Sequence, residues 1–264
     1  MNAKPAKTGN LLVLTKITAI LDSFTLSEPR LSLSQIRERT ELPQSTVQRL
    51  VTNLVDQGFL DRDNDGYRIG MRMAFWAAPA TRGVPALDLV SPVLAKLRDT
   101  TGESAALYIA EGTYRVCIAL AETHAALRRE MHVGKIIPLH IGSAGHVLLA
   151  WQPGLMDRVL ESPLEQMTEE TLTAPDLLQD KVREARRSGY SISAGEREDG
   201  AAGLSAPVFD SSARIYGALS ILGPASRMPM ETCEGWVEVL LEAAENMTRV
   251  LGGRFPGEPG DLSF

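Results

Sequence analysis

Apolar residues recur at steps of three and four near the start of the chain. Val13, Ile17, Ile20, Leu21 and Phe24 form one stripe and predict a first helix. Ser32 opens a second, short helix: its hydroxyl can accept from a free N–H of the first turn, while Gln35, three residues on, reaches back to complete a capping box. Leu33 and Ile36 face inward, Thr40, Glu41 and Leu42 form a turn, and Pro43 is expected as the first residue of a third helix, where its missing N–H would be unpaired anyway. In that helix Val47, Leu50, Val51, Leu54 and Val55 make the buried stripe, and Gly58 is placed to cap the end in a left-handed conformation. Residues 60–62 and 67–69 then read as two strands joined across residues 63–66, with Asp65-Gly66 suited to a tight hairpin. Two helices, a Pro-led third and a hairpin in this order predict a winged helix-turn-helix.

The outer face of the third helix is Gln44, Ser45, Thr46, Gln48, Arg49, Thr52 and Asn53. An Arg can pair two donors with guanine, a Gln can pair donor and acceptor with adenine, and Ser or Thr can hold phosphates near a helix N-terminus. The same residues would also make an ordinary solvated face. The hairpin favours the first reading, since Arg62 and Arg68 at its base would sit over a phosphate backbone and supply affinity without sequence information. The polar side chains of this region therefore point to double-stranded DNA as the partner.

Residues 77–85 hold Pro79, Gly83 and Pro85 and break the periodic pattern, which sets a domain boundary there. The predicted division is a DNA-binding domain over 1–76, a linker and linker helix over 77–102, and a second domain over 103–264. Leu87, Val90, Leu94 and Leu97 mark the linker helix, in which Pro92 is either a bend or the true start. Beyond Ser104, strands are expected at 105–110, 114–121, 128–133, 203–209 and 215–222, and helices at 145–151, 155–161, 175–188 and 230–252. This mixture predicts an α+β sensor-like domain.

Composition narrows the function classes. A chain of 264 residues with 44% hydrophobic positions can bury one large or two ordinary cores. There is no run of about 18 apolar residues for a membrane span and no signal peptide in residues 1–10, so a cytoplasmic protein is expected. Cys117 and Cys233 are read as reduced, buried thiols. The net charge of −6 hides an asymmetry: residues 1–76 carry +2 and the remainder −8, so affinity for DNA is expected from placed contacts and dimerisation. Catalysis finds little support. Gly203-Leu204-Ser205-Ala206-Pro207 ends in Pro where a nucleophile elbow needs Gly, and His124, His132, His140 and His146 lack zinc spacing. Glu196, Glu198 and Asp199 read as a solvated acidic loop or, less favoured, a carboxylate pair. No metal or cofactor is expected.

Several stretches together resemble the IclR-type bacterial transcriptional regulators. They are residues 42–50 (LPQSTVQRL), Gly66-Tyr67-Arg68-Ile69-Gly70, Pro138-Leu139-His140, residues 143–150 (SAGHVLLA), Arg187-Ser188-Gly189-Tyr190, Ala206-Pro207-Val208-Phe209-Asp210 and Gly223-Pro224-Ala225-Ser226-Arg227. The resemblance spans about residues 11–253. It implies an N-terminal winged helix-turn-helix, a linker helix and a C-terminal GAF-like α/β effector-binding domain. It also implies dimers, often paired into tetramers, on palindromic operators. The family's effector pocket maps onto Ser143, Ala144 and Gly145, whose backbone N–H groups would meet an anionic ligand, and onto Ser220. Ser193, Gly203 and Leu222 depart from the Asp, Cys and Ser that binders of small oxo-acids tend to carry. Those departures predict a roomier, more apolar cavity for an aromatic carboxylate such as a hydroxybenzoate. Arg129 and Met131, alternating along the expected strand 128–133, would add a cation and a soft apolar wall, unless Arg129 points to solvent.

Overall fold

A computed structural model describes residues 12–24, 28–63, 66–73, 75–76 and 85–256. The chain divides into two compact units, Met1–Val84 and Pro85–Phe264. The pattern break at 77–84, the turn residues 64 and 65, and the N-terminus through residue 11 lie outside the described residues.

In the first unit, helices α1 (Leu12–Asp22), α2 (Leu33–Thr40) and α3 (Gln44–Asp56) precede strands β1 (Leu60–Asp63) and β2 (Gly66–Ile69). Ile20, Leu31, Ile36, Val47, Leu50, Val51, Leu54 and Leu60 form the core. Each full burial of such a side chain contributes about 1.5–3 kcal/mol. The Ser32–Gln35 capping box forms as expected. Pro43 instead stands one residue before α3, with ψ 139° and its carbonyl accepting from Thr46 and Val47 N–H. Its ring fixes φ but leaves ψ free, so the residue serves the turn rather than the helix. Gly58 is left-handed (φ 73°); its N–H donates to Val55 O and Phe59 N–H to Leu54 O, the pair of bonds that stops α3 cleanly. Leu31 adds a third rung to the hairpin, exchanging two 2.9 Å backbone bonds with Tyr67.

The second unit contains α4 (Pro85–Thr101), β3 (Ser104–Glu111), β4 (Tyr114–Ala121), β5 (Ile136–Pro138), α5 (Gly142–Trp151), α6 (Leu155–Leu160), α7 (Pro175–Ser188), β6 (Ser191–Ala194), β7 (Ala201–Phe209), β8 (Ile215–Pro224), α8 (Met230–Gly235) and α9 (Val237–Val250). The strands form one antiparallel sheet in the order β5-β4-β3-β8-β7-β6. Side chains alternate between its two faces. Ala105, Leu107, Leu204, Ala206, Leu219 and Ile221 join Val90, Val93, Leu94 and Leu97 of α4 and Leu240, Ala244 and Met247 of α9 on one side. Ala106, Tyr108, Cys117 and Ala218 pack on the other with Val147 and Leu148 of α5, Leu155 and Val159 of α6 and Leu178 of α7. Helix α4 is thus built into this core and continues through Pro92. The architecture is α+β, an N-terminal winged helix followed along the chain by a unit of helices flanking a sheet, as expected.

Three details differ from the reading of the sequence. Residues 128–133 form no strand: β4 spends its edge on Ile136–Pro138, and Gly134 N–H donates to Cys117 O at 2.7 Å, so the preceding charged stretch has no ladder partner. Side chains hold it instead, Arg129 on the 198–199 loop and Arg227 on Leu127 O. The last helical pattern is interrupted at Trp236 to give α8 and α9. The short edge strands β5 and β6 carry too few residues for an alternating pattern to stand out.

Candidate functional site

Helix α3 is tied to its unit by the Val47, Leu50, Val51 and Leu54 stripe, which leaves the opposite face to solvent. Gln44, Ser45, Gln48 and Arg49 are exposed and Thr46 is half-buried. Thr52 Oγ1 and Asn53 Nδ2 bond back to the Gln48 and Arg49 carbonyls at 2.8 and 2.7 Å, so these two are committed to the helix itself. Gln44 takes only a long 3.5 Å bond from Arg37, and the Arg49 guanidinium has no hydrogen bond or ion pair among the described residues. In the wing the register pairs Asp61 with Arg68 and Arg62 with Tyr67. Arg62 lies over the Tyr67 ring and Arg68 lies 3.5 Å from Asp61, so the two arginines sit on opposite faces of the hairpin rather than side by side.

The second unit holds a cavity on the sheet face that carries Tyr108, at the N-terminus of α5. Tyr108 of β3, Arg115 of β4, Gly203 of β7, Ser220 and Leu222 of β8, Ser193 of β6 and Gly142, Ser143 and Ala144 of α5 line it. Arg129, Met131, Glu196 and Arg197 from the loops complete the wall. The cavity is small, about 60 Å³, and opens to solvent. A larger open groove, about 1060 Å³, runs past Trp151, Arg186 and Tyr216 on the same unit. The smaller cavity holds the charged chemistry, since Arg115, Arg129, Arg197 and Glu196 all line it.

Arg115 is buried; its Nη1 donates to Pro138 O at 3.0 Å and to Ile141 O, and its Nε has no partner among the described residues. Burial pulls its guanidinium down to about 10, while burial raises the Tyr108 phenol above its usual range. Arg129 places Nη1 3.2 Å from Glu198 Oε1 and gives Nη2 to Asp199 O, and its buried Nε is likewise unpartnered. An unmatched buried donor costs on the order of 1–3 kcal/mol, so each favours a ligand that brings an acceptor.

The hydroxyls form a chain. Ser143 Oγ lies 2.8 Å from Ser205 Oγ, which lies 2.7 Å from Ser220 Oγ, and Ser193 Oγ accepts from Ser143 N–H at 2.9 Å. A Cβ at Gly203 would fall 2.8 Å from Ser143 Oγ, so the space released by glycine is filled by that hydroxyl. Serines take part of the volume beside Gly203, and three guanidinium groups join the wall. Gly145 is not among the lining residues. Its backbone is pressed so close to Leu139 that a Cβ would sit 1.9 Å from the carbonyl oxygen, which gives the glycine a packing role.

The winged helix and the sheet domain are matched by two family models. Residues 13–64 fit the IclR helix-turn-helix domain and residues 80–249 fit the bacterial transcriptional regulator IclR C-terminal domain. The chain belongs to the IclR family of bacterial transcriptional regulators. It is 29% identical over 244 residues to the HTH-type transcriptional regulator BhcR of Paracoccus denitrificans, covering 91% of this chain and 87% of that protein. It is 25% identical over 252 residues to the transcriptional repressor IclR of Escherichia coli, covering 93% and 92%. Among solved structures, an IclR homolog from Microbacterium hydrocarbonoxydans complexed with 4-hydroxybenzoate is 31% identical, with a TM-score of 0.73 over 90% of this chain and 98% of that one. This IclR-family chain is accordingly a DNA-binding regulator and not an enzyme. Ser205 lies in β7 within the hydroxyl chain and is fully buried.

Arg129, Met131, Ser143, Ala144, Ser193, Gly203, Ser220 and Leu222 all line this cavity, Arg129 and Met131 reaching it from a loop. Arg129 faces the cavity and the 198–199 loop, with its side chain 20% exposed. Sequence reasoning missed Tyr108, Arg115 and Arg197, and it left Glu196 in a solvated loop although that residue is buried. A charged residue inside an apolar strand, Arg115 between Tyr114 and Val116, was the available signal. Cys117 is also buried and its thiol is pushed up to about 12, which suits an unreactive packing residue.

Proposed function

We propose that this regulator binds a palindromic operator as a homodimer, paired into tetramers, and that a small organic acid in the α5 cavity modulates that binding. The acid is an aromatic carboxylate of the hydroxybenzoate kind. The observation that carries the reading is the pair of unpartnered, buried arginine Nε donors, Arg115 and Arg129, on one cavity beside a helix N-terminus. A relative 31% identical to this chain carries 4-hydroxybenzoate, which supports an aromatic acid here.

Base reading falls to Gln44, Gln48 and Arg49, phosphate contacts to Ser45, Thr46, Arg62 and Arg68. Effector and operator are coupled by a difference in effector affinity between the DNA-bound and free forms, and the coupling is reciprocal. The chain enters the effector unit through α4, whose apolar stripe lies in that unit's core, so a change in the core is passed to the segment that leads to the winged helix. Among the described residues no helix is long and apolar enough to cross a membrane, in keeping with a cytoplasmic site of action. Titration of labelled operator with the full chain, in the presence and absence of 4-hydroxybenzoate, tests the reading. A shift in operator affinity of fivefold or more, on the order of 1 kcal/mol of coupling, is expected. Identical isotherms with every organic acid tried would end it.

A further inference from the structure

The N-terminus of α5, the natural seat for a ligand carboxylate, is already taken from within. Gly142 N–H donates to Glu196 Oε2 at 2.7 Å and Ser143 N–H to Ser193 Oγ at 2.9 Å. The Glu196 carboxylate is 3.3 Å from His146 Nε2, whose Nδ1 lies 3.2 Å from Ser191 Oγ. Thr171 Oγ1 grips the Glu196 carbonyl at 2.7 Å. Glu196 is therefore anchored at its backbone and at one oxygen. Its Oε1 accepts no hydrogen bond among the described residues, and the residue lines the cavity.

Arg129 and Arg197 share Glu198, at 3.2 and 3.4 Å, and Arg115 is matched only by carbonyls. Three guanidiniums against Glu196 and Glu198 leave the cavity wall with one positive charge in excess. The unused groups are thus of two kinds: donors on Arg115 and Arg129, and an acceptor on Glu196.

We infer that the cavity selects a hydroxy acid, held with its carboxylate on the Arg115 and Arg129 guanidinium groups and its hydroxyl donating to Glu196, and that Glu196 is the residue that rejects diacids. The inference rests on the cavity being the effector site. One carboxylate neutralises the excess charge. A second carboxylate would face Glu196 in a buried setting, where like charges repel strongly. A bare acid would leave Glu196 without the donor it accepts from.

Calorimetric titration of the full chain with three acids of one shape separates these cases: 4-hydroxybenzoate, benzoate and terephthalate. The wild type is expected to bind 4-hydroxybenzoate at least about tenfold more tightly than benzoate and to give no heat with terephthalate. Glu196→Gln keeps an acceptor for Gly142 N–H but loses the charge, so it should admit terephthalate. Arg129→Gln should weaken 4-hydroxybenzoate and benzoate together, about tenfold, without changing their order. Thermal melting of both variants establishes that they fold; should Glu196→Gln melt early, the wild-type ranking and Arg129→Gln still decide. Benzoate binding as tightly as 4-hydroxybenzoate, terephthalate binding to the wild type, or a folded Glu196→Gln that still excludes terephthalate overturns the inference. Silence of all three ends the aromatic reading instead, and the rule is then read on 3-hydroxypropionate, propionate and malonate, where no preference for the hydroxy acid overturns it as well.

Discussion

The outer face of α3 and the α5 cavity use the same kinds of side chain in opposite states. On α3, Gln48 and Arg49 are exposed and uncommitted, because the helix buries only its Val47, Leu50, Val51 and Leu54 stripe. In the cavity, Ser143, Ser193, Ser205 and Ser220 are tied to one another, and Glu196 to a helix N-terminus. A surface that reads a long, charged polymer keeps its donors free and gains its affinity on contact. A cavity that recognises a small molecule fixes its groups in advance, and the few left unmatched define the ligand.

The largest break in this comparison should come from its scaffold. Gly145→Val would drive a side chain into the Leu139 carbonyl and move α5 off the sheet, costing more than about 3 kcal/mol in denaturant unfolding of the effector unit. Because the winged helix has its own core, its unfolding should be little changed. Next, Arg49→Ala should weaken operator binding by about 1–3 kcal/mol in fluorescence anisotropy while leaving calorimetric effector affinity alone. Ser205→Ala removes the middle hydroxyl between Ser143 and Ser220 and should cost about 1–2 kcal/mol in thermal unfolding. An unchanged melting temperature would show the serines to be independent.

The smallest effect is on pH. Burial lowers the His140 imidazole below its ordinary value of 6.5, with Nε2 placed on Glu165 O at 2.8 Å. The unfolded chain then binds the proton more readily, so this residue's contribution is fully present above about pH 6.5 and is lost as pH falls below it. Urea titrations at pH 7.5 and 5.5 should show that loss, and His140→Gln should reduce it.

The contrast also explains what could be read from the sequence. The winged helix was legible because one continuous helix supplies both its buried stripe and its polar face, with Ser32 and Gly58 marking boundaries through local bonds. The cavity draws on β3, β4, β6, β7, β8 and α5, so Arg115 and Gly203 become neighbours of one cavity only through sheet pairing. Ser143, Ser193 and Ser220 were placed by family resemblance, and the resemblance was silent on Arg115 and Glu196. The volume argument at Gly203 counted the side chain removed and not the Ser143 hydroxyl, which lies 2.8 Å from where a Cβ would stand. Arg129 and Met131 reach the cavity from a loop and not from a strand, Arg129 held by bonds to residues 69 and 70 positions further along the chain.

On the proposed function, α3 reads DNA and the α5 cavity controls the reading. Selection of bound duplexes from a random-sequence pool by the full chain, with and without 4-hydroxybenzoate, tests both halves at once. The account predicts enrichment of one palindromic sequence by the wild type, a change in its retention of fivefold or more when the acid is present, and no enrichment by Arg49→Ala. Recovery of no preferred sequence at low salt, or the same enrichment from Arg49→Ala, would contradict it.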